Sequence, residues 1–204
     1  MKKFILLIVI FLAACFLAYK LLSDKPVHHD EPKDKALSIS KNSPAFNNSF
    51  DSLLSQYFAI RDALVDADTL LADQAAYRLA GRADSLPTQL LRADTSIILT
   101  ARSLAASMGG DAKGFSGETG LEGRRQSFNV LTDELYNLVR TVHYDEARIY
   151  HIRCPMAFKE SEEGYWLSPT AVIVNPYLGT KHPVYKAKMV GCGEVTDSID
   201  WVKK

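Results

Sequence analysis

Apolar residues recur every three or four positions over the middle of the chain, a spacing that places them on one face of a helix. Ser43 suits the N-cap position and Pro44 suits the first helical position, so a helix is predicted to begin there. Its apolar face consists of Phe46, Phe50, Leu53, Leu54, Tyr57, Ile60 and Leu64. The acidic stretch Asp66 to Asp68 is predicted to break or bend this helix before the next one.

Further amphipathic helices follow in the same pattern. The second covers Leu70 to Leu79 and is predicted to end near Gly81. The third opens at Leu86-Pro87, and its apolar stripe stops at Gly109-Gly110. A glycine-rich loop, Asp111 to Gly117, then leads to a last helix with an apolar face of Leu121, Phe128, Leu131, Leu135, Leu138 and Val142. Four such helices joined by short connections predict an antiparallel, up-down bundle.

The pattern changes after His143 to short apolar runs separated by proline and glycine, which is typical of strands and turns. These runs contain Ile149, Ile152, Trp166, Val172, Ile173, Val174, Val184, Tyr185, Val190 and Val195. The sequence therefore predicts an α+β fold. A bundle of about four helices over residues 43–144 is followed by a small β-rich C-terminal lobe over residues 145–204.

The N-terminal residues predict export and attachment to a membrane. Lys2 and Lys3 precede an apolar stretch that extends to Leu22, a length between that of a removable signal peptide and that of a membrane span. A retained transmembrane anchor over residues 1–22 is favoured. Leu12-Ala13-Ala14-Cys15 also resembles a bacterial lipobox, which makes lipid attachment at Cys15 the alternative. The two lysines orient the rest of the chain outward, toward the periplasm side of a bacterial cell envelope.

Composition excludes some classes of function. The chain has 24 basic and 24 acidic residues, and this zero net charge argues against a nucleic-acid partner. Residues 23–42 are polar and contain proline, as expected of a linker between membrane and domain. Motifs for serine hydrolases, phosphate loops and zinc proteases are absent from the sequence, so we expect no enzyme activity.

Sulfur-containing residues are concentrated in the C-terminal lobe. Cys154 and Met156 form a Cys-X-Met pair, and Met189 and Cys192 form a Met-X-X-Cys pair at turn spacing. Thiolate and thioether ligands suit Cu(I) and similar soft metal ions. His182 lies between the two pairs and is a further candidate ligand. The leading hypothesis is a soft-metal site formed by these residues.

A structural interpretation of the same residues is also open. Two cysteines in the folded region allow one disulfide, one shared metal site or two free thiols. In an oxidising compartment a Cys154–Cys192 disulfide would stabilise the fold by about 3–4 kcal/mol in the chain-entropy model. Met156 and Met189 would then fill gaps in the core. The protein would in that case be a structural or interaction module that binds no metal.

Several motifs resemble those of a bacterial envelope family of unknown function. They are Cys154-Pro155-Met156-Ala157, Asn175-Pro176-Tyr177-Leu178-Gly179, and Met189 with Cys192-Gly193. Members of that family occur alone, often as lipoproteins, or fused to the periplasmic adaptor subunits of copper and silver efflux pumps. The resemblance implies a helical bundle with a small metal-associated lobe, an efflux adaptor as partner, and Cys154, Met156, Met189 and Cys192 as ligands. This chain has a longer stretch, Thr180 to Lys188, before Met189 than the family pattern.

Overall fold

The computed structural model describes Phe16, Leu17, Tyr19, Lys20 and residues 41–158 and 162–202. The chain divides into two compact units, Met1–Ala36 and Leu37–Lys204. In the first unit the described residues are helical and exposed. Within the described part of the chain, no helix is long and apolar enough to cross a membrane. Cys15, most of the predicted anchor and nearly all of the predicted linker lie outside the described residues, and they stay predictions.

The second unit begins with four helices, each packed against the next in chain order. They are α1 Pro44–Val65, α2 Thr69–Asp84, α3 Thr95–Gly114 and α4 Gly120–Val142. The start of α1 is the predicted one, because the Ser43 hydroxyl accepts a hydrogen bond from the Phe46 N–H at 3.3 Å. Asp68 caps α2 in the same way, so the acidic stretch ends one helix and begins the next.

Glycine was a poor guide to the helix ends. The α2 helix continues past Gly81, and α3 begins at Thr95, after a 3-10 turn at Thr88–Leu90, and not at Leu86-Pro87. It then continues through Gly109-Gly110 to Gly114, so half of the predicted glycine-rich loop is helical. At position 109 a Cβ would lie 2.6 Å from the Asp84 Oδ1 on α2. This glycine therefore marks a close approach of two helices.

Three short strands form an antiparallel sheet in the order β2-β1-β3. They are β1 Ile149–Cys154, β2 Gly164–Ser168 and β3 Glu194–Ile199. This confirms the α+β fold with a small sheet at the C-terminus. The apolar runs around Val172 and Val184 are not strands, and both side chains are exposed. In this region the backbone hydrogen bonds close turns, as in the bond from the Gly179 N–H to the Asn175 oxygen at 2.9 Å.

The helices and the sheet share one hydrophobic core. Tyr57 on α1 stacks on Phe128 of α4, with ring centroids 4.9 Å apart. The Tyr57 hydroxyl accepts a hydrogen bond from the Leu167 N–H of β2 at 3.0 Å. On α4, the Asn129 Oδ1 accepts a hydrogen bond from the Tyr165 N–H at 2.7 Å. These buried contacts fix β2 against the bundle, and β2 in turn positions the neighbouring strand β1.

Candidate thiol site and the adjoining cavity

The sheet brings Cys154 and Cys192 to the same end of the lobe. Cys154 is the last residue of β1 and is fully buried. The antiparallel register pairs Arg153 with Glu194, so the residues just before β3 lie beside the end of β1. Cys192 lies in this position and is partly exposed. Both residues are free thiols.

The two thiols affect each other electrostatically. Burial raises the pKa of the Cys192 thiol above its ordinary value, and the charge of the neighbouring Cys154 raises it further. A raised pKa keeps the Cys192 thiol protonated near neutral pH. Because the thiolate is the form that binds metals, a metal ion that binds here displaces this proton.

Asn175 holds the chain around Cys192 in place. Its side chain is fully buried, and its Nδ2 donates a hydrogen bond to the Cys192 carbonyl oxygen at 2.7 Å. Its Oδ1 accepts hydrogen bonds from the N–H groups of Tyr177 at 2.8 Å and Leu178 at 3.0 Å. The sequence places Asn175 in a turn-forming family motif but does not predict its bond to the Cys192 carbonyl. The Asn-Pro pair was the available signal, because asparagine side chains commonly close turns of this kind.

Met189 and Cys192 lie on one tight turn, as their spacing predicts. The Cys192 N–H donates a hydrogen bond to the Met189 carbonyl oxygen at 3.0 Å. Met189 is partly buried against the core. The turn passes very close to the sheet, because a Cβ at Gly193 would lie 2.9 Å from the Arg153 carbonyl oxygen and 2.8 Å from the Trp166 ring. A side chain at position 193 would push this turn away from Cys154.

Met156 and His182 lie elsewhere, in the wall of a cavity of about 230 Å³ that neither cysteine lines. The His182 Nδ1 accepts hydrogen bonds from the Val184 and Tyr185 N–H groups at 3.2 and 3.1 Å. The neutral ring therefore carries its proton on Nε2. A metal at Nε2 would require the proton to move to Nδ1 and both hydrogen bonds to break. The candidate ligands thus fall into two groups, one around the thiols and one in the cavity.

Tyr177 lies between these two groups. It is fully buried, lines the cavity, and stacks edge-on against Phe158 and Trp166. Burial raises the pKa of Tyr177 well above its ordinary value, and the nearby Cys154 contributes to the rise. The same phenol therefore contacts the cavity and lies near the buried thiol.

His151 does not complete a ligand set around the thiols. His151 lies on β1 three residues before Cys154, which places the two side chains on opposite faces of the sheet. Its ring stacks on Tyr165, with centroids 5.1 Å apart. Over residues 41–158 and 162–202, three or more His, Cys, Asp or Glu side chains do not converge on a metal position. Two thiols with a nearby thioether suit a low-coordinate soft ion better than tetrahedral zinc.

Comparison with known proteins adds one result. Residues 53–147 match the family described as protein of unknown function, DUF3347. The matched segment begins within α1 and ends just before β1, so it contains neither Cys154 nor Cys192. No curated protein and no solved structure matches the chain. Over its helical bundle, this chain is therefore similar to a family of unknown function.

Proposed function

We propose that this protein is a non-catalytic module of the bacterial cell envelope that binds Cu(I), or a similar soft metal ion, through Cys154 and Cys192. The observation that supports the proposal is the juxtaposition of the two thiols at one end of the sheet. Met189 adds a thioether on the same turn as Cys192. Soft sulfur ligands of this kind select Cu(I) over ions that prefer oxygen.

The burial of the two thiols supports a role in metal transfer. Cys154 is fully buried, whereas Cys192 is partly exposed. An ion would first bind Cys192 at the surface and then Cys154 inside, and it would leave in the reverse order. Met156 in the neighbouring cavity offers a further thioether. Exchange of sulfur ligands one at a time is the chemistry of hand-over to an efflux adaptor, the partner that the family resemblance suggests, in heavy-metal efflux or homeostasis.

A second candidate function rests on the same juxtaposition. Two neighbouring thiols on the oxidising side of a membrane form a disulfide readily. Cys154 and Cys192 would then join β1 to the turn before β3, and the helical bundle would dock on a partner protein. In this structural role neither methionine takes part in binding.

The deciding experiment is a titration of the fully reduced protein with Cu(I) under anaerobic conditions, against a competing chromophoric chelator. We expect tight one-to-one binding that is lost in Cys154→Ser and in Cys192→Ser and weakened in Met189→Leu. Met108→Leu is the matched control, because Met108 is a fully buried thioether on α3. Its substitution should leave Cu(I) affinity unchanged.

Either result of the titration is informative. If the reduced protein does not compete with the chelator, the soft-metal proposal is wrong. The disulfide alternative then predicts that oxidation removes two hydrogen atoms from the intact mass and raises the melting temperature. If Cu(I) binds and Cys192→Ser abolishes binding, the structural role alone is insufficient.

A further inference from the structure

A buried arginine lines the same cavity as Met156 and His182. Arg125 on α4 is only 5% exposed. Its Nε donates a hydrogen bond to the Pro176 carbonyl oxygen at 2.9 Å, and its Nη2 lies 3.5 Å from the Leu64 carbonyl oxygen. Its Nη1 has no hydrogen-bond partner among the residues that the structure describes. The protein therefore accepts hydrogen bonds from only some of the N–H groups of this guanidinium.

This cation also lacks a paired anion within the described part of the chain. Burial lowers the pKa of Arg125, and Glu122, one turn earlier on α4, opposes that effect without forming an ion pair. Burying a charge without a counter-ion is unfavourable, because the charge loses its hydration. An anionic ligand in the cavity would supply the missing counter-ion and occupy the free N–H groups.

The rest of the cavity is mainly aromatic and aliphatic. Its walls include Phe158, Tyr177, Leu178, Val184 and Tyr185. Glu122 is exposed and also lines it, so the described residues around the cavity include one cation and one anion. A doubly charged anion such as phosphate would have a single arginine to balance it and would be repelled by Glu122. A ligand with one negative charge and an apolar body fits both the single arginine and the apolar walls.

We infer that this cavity binds a small monocarboxylate with an aromatic or branched aliphatic body. The carboxylate pairs with the Arg125 guanidinium in the two-pronged geometry that arginine favours, and the body packs against Phe158 and Tyr185. The cavity volume of about 230 Å³ is large enough for a ligand the size of a phenylpropanoate. This site is separate from the thiols and needs no metal ion.

The test is isothermal titration of the full-length, reduced and metal-free protein with 3-phenylpropanoate. We expect saturable binding, about tenfold or more weaker binding of the neutral 3-phenylpropanamide, and no binding of inorganic phosphate. Equal affinity for the acid and the amide would overturn the inference. Absence of binding by the carboxylate would overturn it as well, as would preferential binding of phosphate.

Variants at the rim of the cavity test the charge argument without disturbing the core. Glu122→Gln removes the repelling carboxylate and should tighten carboxylate binding about two- to fivefold. Asp62→Asn is the control, because it removes one negative charge from a residue that does not line the cavity. Val184→Glu adds a negative charge at an exposed wall position and should weaken binding. If carboxylate affinity is unchanged in both Glu122→Gln and Val184→Glu, the inference is wrong.

Arg125→Gln should weaken carboxylate binding about tenfold or more. Because Arg125 also donates hydrogen bonds to the Pro176 and Leu64 carbonyl oxygens, the folded fraction of this variant must be measured alongside its affinity. If the Arg125→Gln variant does not fold, the rim variants decide the question. Independence from the proposed metal site is tested with Cys154→Ser/Cys192→Ser. This double variant should lose Cu(I) binding and keep carboxylate binding, so failure of one proposal is distinguishable from failure of the other.

Discussion

Single buried polar side chains determine where the chemically active groups lie. Asn175 is the clearest case, because its Nδ2 donates to the Cys192 carbonyl oxygen and its N–H donates to the Val190 carbonyl oxygen, and both bonds hold the turn that carries Cys192. Buried polar groups of this kind are costly unless all their partners are present. The position of the partly exposed thiol therefore depends on a residue that cannot itself bind a soft metal.

Asn175→Ala should lower the free energy of unfolding by about 2–4 kcal/mol, because it leaves the Cys192 carbonyl and the N–H groups of Tyr177 and Leu178 unpaired. Denaturant unfolding measures this change. Alkylation of Cys192 by iodoacetamide should also become faster, because the turn loosens. Asn137→Ala, at an exposed position on α4, should change stability by less than about 0.5 kcal/mol. Equal effects of the two substitutions would contradict the role given to Asn175.

Glu134 on α4 is a second residue with an unusual environment. Burial raises its pKa to about 7, the carboxylates of Asp111 and Asp133 add to the rise, and a hydrogen bond with Ser107 opposes it. The folded protein therefore binds more protons than the unfolded chain between the ordinary carboxylate pKa and about 7. It follows that this group's contribution to stability falls as pH rises through that window.

We expect the free energy of unfolding of the natural protein to decrease from pH 5 to pH 7.5 relative to that of Glu134→Gln, which has no titrating group at this position. Urea unfolding at several pH values measures the difference. Asp62→Asn, at an exposed position on α1, serves as the control. Parallel pH profiles for the natural protein and Glu134→Gln would show that the half-buried carboxylate does not affect folding.

At the scale of elements, the turn from Met189 to Gly193 connects the loop to β3 and carries the accessible thiol. Gly193 has φ of 149°, a conformation that favours glycine, and a Cβ at this position would clash with the Trp166 ring and the Arg153 carbonyl oxygen. Gly191 on the other side of Cys192 has open space around it. Position 191 therefore has room for a side chain and position 193 does not, although the two glycines lie on either side of the same cysteine.

Gly193→Ala should destabilise the protein by about 1–3 kcal/mol, because an added Cβ is both strained and too close to the backbone of β1. Gly191→Ala is the matched control and should change stability by less than about 0.5 kcal/mol. Thermal unfolding of the two variants measures the difference. If both lose the same stability, the close approach of the turn to β1 is not what requires glycine at position 193.

At the scale of the whole molecule, the sheet depends on the bundle for its position. Tyr57 in α1 links the two parts, because its hydroxyl accepts a hydrogen bond from the Leu167 N–H and lies 2.6 Å from the Thr132 Oγ1. Thr132 donates its own proton to the Phe128 carbonyl oxygen at 2.9 Å, so the Tyr57 hydroxyl is the donor to Thr132. This chain of bonds runs from α4 through α1 to β2.

Tyr57→Phe should lower the free energy of unfolding by about 1–3 kcal/mol, because it leaves the Leu167 N–H buried without a partner. Probes of helix and sheet should lose their signals together, since the two parts share one core. Tyr77→Phe removes a hydroxyl from a residue that is 79% exposed and should have almost no effect. Separate transitions for helix and sheet would contradict a single cooperative core.

The sequence by itself determined the helices of this protein and the residue types of its candidate sites. Helical spacing of apolar residues, with Ser43 and the Asp66 to Asp68 break, identified α1 and the start of α2, because capping and periodicity are local properties. The sulfur-rich segments were equally visible. Soft-metal chemistry could therefore be proposed from the sequence.

Only the tertiary structure decided which of these side chains meet. Cys154 and Cys192 lie together because of the antiparallel register of β1 and β3, whereas Met156 and His182 line a cavity beside Arg125. Gly109 is in mid-helix because α2 and α3 approach closely there, and the Asn175 side chain also bonds to the Cys192 carbonyl oxygen, 17 residues along the chain. Contacts of this kind depend on how distant segments pack, and residue order does not encode them in any local pattern.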